Sequence, residues 1–192
     1  MTEGISADSS FYICLFCDLD RIDWLYLFLN AYSFYIGRRL QKELPESLSN
    51  DKKFLSKIKL DDYAYYELIR PIFGRNKKHI DDGEYEAIGI AYYLEDEGNL
   101  KYLIIDDLRP RNFVERHFPR ISQKLVFTTS FIRDSTCEDK KIKGEQAIEI
   151  LETIVQLIDK KTGRRPCSLD YKNYRKIIIP IIEEIKRHFQ IE

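Results

Sequence analysis

Acidic residues stand at both ends of one short stretch of this chain. Glu84 and Glu86 follow Asp82-Gly83 at the start of an amphipathic run, and Asp106-Asp107 end the apolar run Tyr102-Leu103-Ile104-Ile105. The first run has the pattern of a helix start and the second that of a buried strand. In an open α/β sheet the carboxyl ends of strands and the neighbouring helix N-termini border the crevice where ligands bind, so these carboxylates can converge on one site. Carboxylates sharing a cleft repel one another unless a cation neutralises them, and hard oxygen donors favour Mg²⁺ or Mn²⁺. The chemistry this points to is metal-dependent phosphodiester hydrolysis.

The elements that must position these acids follow from hydrophobic periodicity. Residues 4–7 are a weak strand, since only Ile5 is strongly apolar, and Asp8-Ser9-Ser10 can cap the helix that starts at Phe11. Leu19, Ile22, Leu25, Tyr26 and Leu29 predict an amphipathic helix over residues 18–30. Phe34-Tyr35-Ile36 reads as a strand ended by Gly37, and residues 38–44 as a turn or two of helix stopped by Pro45. Residues 46–59 are polar and turn-prone, hence a loop, and residues 60–69 read as helix.

A helix is expected over residues 84–95, a fully apolar parallel-sheet strand over 100–105, and a further strand over 124–127 before the hydroxyls of Thr128-Thr129-Ser130. Pro110 fits the first turn of the helix between those strands. Residues 142–160 and 171–189 are helical, the latter interrupted by Pro180, with a polar hinge over 161–166. Strands alternating with helices predict an α/β fold with a central parallel sheet, comprising a domain over residues 1–157 and a C-terminal helical extension over 158–192.

A chain of 192 residues with 44% hydrophobic and 33% charged content has material for one substantial core. Its formal net charge of −1 gives no global positive field to attract nucleic acid, although Arg75-Asn76-Lys77-Lys78-His79 and Arg164-Arg165 are local basic patches. Cys14-Leu15-Phe16-Cys17 has redox or zinc spacing inside an apolar run, with no second Cys or His pair at a ligand interval. All four cysteines are therefore expected as buried apolar residues. No secretory leader pattern and no membrane-length apolar run is present, so a cytoplasmic location is expected.

Four segments together resemble the PIN-domain family, in its prokaryotic toxin-antitoxin and PIN-like nuclease branch. Asp8-Ser9-Ser10-Phe11-Tyr12-Ile13 with Leu19-Asp20-Arg21-Ile22-Asp23-Trp24-Leu25 is similar to the opening strand-Asp-helix and second helix. Arg39-Leu40-Gln41-Lys42-Glu43-Leu44 is similar to the helix supplying a second acid. Gly83-Glu84-Tyr85-Glu86-Ala87-Ile88-Gly89-Ile90-Ala91 matches the branch's Gly-Glu-x-Glu-Ala-Ile-x-x-Ala helix, the most specific of the four, and Leu103-Ile104-Ile105-Asp106-Asp107 resembles the strand ending in the last acid. Phe127-Thr128-Thr129-Ser130 departs from the branch's Thr-Gly-Thr. The resemblance implies a ribonuclease acting on single-stranded RNA with Mg²⁺ or Mn²⁺. Its catalytic cluster would be Asp8, Glu43, Glu86 and Asp107, with Glu84 and Asp106 as further or alternative ligands and an antitoxin-like protein as a partner.

Each acid also has an ordinary explanation: Asp8 and Asp107 can cap helices, and Glu84 and Glu86 can complement a helix dipole. Two other functions fit parts of the pattern. Ile13-Cys14-Leu15-Phe16-Cys17-Asp18-Leu19-Asp20 looks like the apolar run and Asp-x-Asp of haloacid-dehalogenase phosphotransferases, with Asp18 as nucleophile. A PIN-like binding or regulatory module with little nuclease activity is the other. The apolar helices over 142–160 and 171–189 are expected to support a homodimer or to hold a small partner.

Overall fold

The computed structural model describes residues 3–61, 69–73, 83–160, 166–169 and 171–191. Strands β1 (Gly4–Ala7), β2 (Ser33–Gly37), β3 (Ile58–Asp61), β4 (Leu100–Ile104) and β5 (Leu125–Val126) form a sheet of order β3-β2-β1-β4-β5. Every pairing is parallel, and helices flank the sheet, which gives the expected α/β architecture. The chain builds outward from β1 to β2 and β3, then returns to place β4 on the other side of β1. The order therefore reverses between β1 and β4, which makes the crevice beyond their carboxyl ends the topological switch point.

The weak apolar character of β1 has a packing reason. Ile5 and Ala7 are fully buried, while Gly4 and Ser6 lie under helix α6 (Gly83–Asp96), whose Ala87 carbonyl accepts from Ser6 Oγ at 2.8 Å. A Cβ on Gly4 would stand 2.8 Å from Tyr35 Cε2 and 3.1 Å from Leu94 Cδ1, so a larger side chain has no room there. An aromatic cluster fills another part of the core. Phe34 stacks on Phe11 with ring centroids 5.4 Å apart, and Phe28 and Phe131 close around that pair at 5.9 Å and 5.7 Å from Phe11.

Several local expectations change. The helix read over 18–30 begins later, at Ile22 (α2, Ile22–Ala31): the helix expected from Phe11 is α1 (Ser9–Ile13), which runs into a π-helical turn (Cys14–Asp18), and Asp20 then adopts φ 53°. The left-handed Asp20 redirects the chain in a way that apolar spacing does not register. The 46–59 loop instead holds two single-turn helices, α4 (Glu46–Ser49) and α5 (Lys52–Leu55), after α3 (Arg38–Glu43). Leu48 and Phe54 anchor them in the core, and Asp51 caps α5 through the Lys53 and Phe54 amides. Leu60, read as helical, lies in β3; residues 62–68 of that stretch lie outside the described residues.

Beyond β4 come α7 (Leu108–His117), α8 (Pro119–Ser122), α9 (Thr128–Cys137), α10 (Gly144–Asp159) and α11 (Tyr174–Phe189). Pro180 sits inside α11 without interrupting it. The buried stripe Ile178, Ile181, Ile182 and Ile185 packs towards α9 and α10, and this burial outweighs the hydrogen bond that proline forfeits. The apolar faces offered to a partner are thus largely covered within the chain, leaving Ile177, Ile179 and Phe189 exposed on α11. The 157/158 boundary falls near the end of α10, which continues through it. Cys14, Cys137 and Cys167 are buried as expected, whereas Cys17 is half-buried. No helix among the described residues is long and apolar enough to cross a membrane.

Candidate functional site

Parallel pairing brings the residues after β1 and β4 side by side. Ala7 is in register with Ile104, so Asp8 leaves the sheet beside the segment Ile105-Asp106. The Asp106 amide donates to Asp8 Oδ2 at 3.1 Å, and Asp8 Oδ1 accepts from Ser10 Oγ at 2.5 Å and from the Phe11 amide at 3.3 Å as the cap of α1. Ser10 Oγ also lies 3.3 Å from Asp106 Oδ2, so one hydroxyl spans the two carboxylates. Thr128, at the start of α9, donates from its amide to Asp106 Oδ1 at 2.8 Å and from its hydroxyl to Oδ2 at 2.7 Å.

Both carboxylates are buried, with Asp8 1% and Asp106 6% exposed. Burial pushes the Asp8 carboxyl above its ordinary 3.8 even though Ser10 and the amides of Asp106, Phe11 and Ser10 favour the anion. Burial, and then the charge of Asp8, carries Asp106 up to about 7. Arg111 is close enough to feel both acids, but its guanidinium donates to the Ile105 carbonyl at 2.9 Å and lies over the Phe127 ring at 3.6 Å. Negative charge in the pair is therefore only partly compensated, the condition under which a cation is favoured.

The other acids are engaged differently. Glu86, 1% exposed, accepts from the amides of Arg39 and Leu40, both at 2.8 Å, at the start of α3. Glu43, from the end of that helix, accepts from the Gly83 amide at 2.5 Å at the start of α6. The two glutamates thus cap each other's helices. Glu84 is half-buried in the first turn of α6.

Asp107, expected in the cluster, is exposed and caps α7 through the Arg109 amide at 2.7 Å. The carboxylate brought to Asp8 is Asp106. Among the described residues no three His, Cys, Asp or Glu side chains converge as a metal site, so the four-acid cluster is not assembled. The Asp18/Asp20 reading loses its premise, because the run before Asp18 is helical rather than a strand and Asp20 is exposed.

The donor set at Asp8 and Asp106 is chemically suited to a hard divalent ion. It has two buried carboxylates and neighbouring hydroxyls, and a small ion such as Mg²⁺ typically takes one or two carboxylates and completes its shell with water or phosphate oxygens. Asp106 also borders a cavity of about 370 Å³ with Phe127, Thr129, Cys167 and Asn173. Cys167 and Asn173 lie beyond the stretch that resembles the PIN family, and no sequence pattern links them to the acids. Two further clefts carry basic side chains: Arg38, Arg39 and Lys42 on α3, and Arg109, Arg116 and His117 on α7. Phosphate backbones are bound by this kind of side chain. No family model, curated protein or solved structure matches the chain.

Proposed function

We propose that this protein is a metal-dependent ribonuclease that hydrolyses phosphodiester bonds in single-stranded RNA. The observation that carries the reading is the Asp8–Asp106 pair, two buried carboxylates joined through Ser10 at the switch point of a parallel sheet. Asp8 and Asp106 would hold Mg²⁺ or Mn²⁺, which when bound activates a water and neutralises charge on the scissile phosphate. Ser10 and Thr128 hold the carboxylates in fixed orientation. Arg38, Arg39 and Lys42 on one cleft, and Arg109 and Arg116 on another, supply cations for flanking phosphates.

The test is cleavage of a labelled single-stranded RNA with Mn²⁺ or Mg²⁺, with EDTA, and with Asp106→Asn. Metal-dependent cleavage lost in the variant supports the proposal, and a wild type that leaves the RNA intact under all metals opposes it.

One observation favours a second reading, a binding or regulatory module without hydrolysis: Glu43 and Glu86 are engaged on backbone amides rather than gathered with the aspartates. RNA retention without cleavage in the same assay selects that module.

A further inference from the structure

The Cys14-x-x-Cys17 spacing suggests a local pair, but the structure pairs Cys14 elsewhere. Its Sγ lies 3.1 Å from Cys167 Sγ, a contact between residues 153 positions apart. Both side chains are buried, Cys14 at 0% and Cys167 at 5% exposure. A disulfide needs about 2.05 Å between sulfurs, so the thiols have to approach by only about 1 Å. Cys167 and Ser168 have φ 56° and 51°, two consecutive non-glycine residues in the left-handed region, where side chains are held only when the surroundings demand it.

Buried thiols are usually inert for want of access. Cys167 is different, because it lines the 370 Å³ cavity beside Asp106, which gives a small oxidant a route to this residue. Cys14 is one residue beyond α1, the helix that Asp8 caps.

We propose that Cys14 and Cys167 are a redox-active thiol pair that closes to a disulfide when hydrogen peroxide enters the cavity beside Asp106. The Cys167 thiolate attacks one peroxide oxygen; the O–O bond breaks, and the departing hydroxide takes the thiol's proton and leaves as water. The resulting sulfenic sulfur is attacked by the Cys14 thiolate, forming the S–S bond and breaking the S–O bond. The second hydroxide takes the Cys14 proton and leaves as another water. Two electrons pass from the thiols to the peroxide, and a thiol reductant reverses the cross-link. The bridge ties the 167–169 segment, a wall of the cavity, to the residue that ends α1, the helix whose N-terminal cap, Asp8, is half of the carboxylate pair.

The experiment treats the full-length, folded protein with hydrogen peroxide at mildly alkaline pH, because the Cys14 contact and then burial hold the Cys167 thiol above its ordinary range. Remaining thiols are then alkylated in denaturant and the protein is mapped by mass spectrometry. The expected product has lost the mass of two hydrogen atoms and yields a cross-linked peptide joining Cys14 to Cys167. It migrates faster in non-reducing denaturing electrophoresis and is restored by dithiothreitol. Cys17→Ser retains the cross-link and Cys167→Ser abolishes it, and the wild-type peptide map decides the matter if Cys167→Ser fails to fold. A Cys14–Cys17 linkage, oxygen addition without a cross-link, or full recovery of alkylated thiols would overturn the proposal.

Discussion

The Asp106 amide donates to Asp8 Oδ2 at 3.1 Å, so the residue that leaves β4 holds the residue that leaves β1. Two carboxylates that would otherwise repel are kept adjacent by this bond, by the shared Ser10 hydroxyl and by the two Thr128 donors. The arrangement assigns unequal roles to neighbouring acids, and unequal roles are measurable.

Asp107→Asn is expected to be nearly silent. Asparagine caps helices as well as aspartate does, so stability should stay within about 0.5 kcal/mol of wild type and metal-dependent RNA cleavage should be retained. A large loss of cleavage in Asp107→Asn, with Asp106→Asn active, would reverse the assignment of the two acids.

Thr128→Val keeps the amide donor and removes the hydroxyl that meets Asp106 Oδ2 at 2.7 Å. A buried acceptor loses a partner, which costs about 1 to 3 kcal/mol, and Asp106 loses its fixed orientation. Urea unfolding should show the lost stability, and the cleavage rate should fall while the RNA concentration for half-saturation changes little.

The reciprocal caps predict coupling between Glu43 and Glu86. Glu86→Ala leaves the Arg39 and Leu40 amides without their acceptor and should cost about 2 kcal/mol or more, whereas Glu43→Ala, at an exposed position, should cost about 0.5 to 2 kcal/mol. Because both act on the α3–α6 contact, the double variant should be less destabilised than additivity requires. The adjacent glycines give a second check. A Cβ on Gly37 would meet Glu86 Cδ at 2.1 Å, and one on Gly83 would meet Glu43 Cδ at 2.7 Å. Glu86 is pinned and buried while Glu43 can swing into solvent, so Gly37→Ala should be the more damaging in urea unfolding.

Stability of the metal-free protein should fall as pH rises from the acid side. Asp8, Glu86, Asp106 and Asp134 all have carboxyls raised by burial, Asp106 to about 7, from ordinary values of 3.8 or 4.5. For Asp106 this contributes stability that is complete below about pH 4 and is lost as pH rises through about 7, and the other three raised carboxyls act in the same direction. The lowered carboxyls of Asp23 and Asp159 act in the opposite sense, but in solvent-screened ion pairs. The urea midpoint should therefore be higher near pH 4.5 than near pH 8, and Asp106→Asn should flatten that difference.

Strong periodicity made β2, β4 and the helices over 83–96 and 144–159 legible in the sequence, because each carries an uninterrupted apolar pattern. β3 was not legible: Ile58-Lys59-Leu60-Asp61 is a short edge strand inside a charged stretch, and its length is too small for alternation to stand out. The choice between Asp106 and Asp107 depends on where β4 ends and how the backbone turns after Ile105, and one residue of displacement sends a side chain to the opposite side. The mutual capping of Glu43 and Glu86, and the Cys14–Cys167 contact, join residues 40 or more apart through tertiary packing that no local pattern encodes.

Mn²⁺ binding by calorimetry at neutral pH, comparing wild type, Asp106→Asn and Asp107→Asn, each checked for folding by urea unfolding, separates a metal held by Asp8 and Asp106 from every other arrangement of these acids. The account predicts saturable binding in wild type and Asp107→Asn and its loss in Asp106→Asn. Absence of binding to wild type, or binding to Asp106→Asn as tight as to wild type, would contradict it.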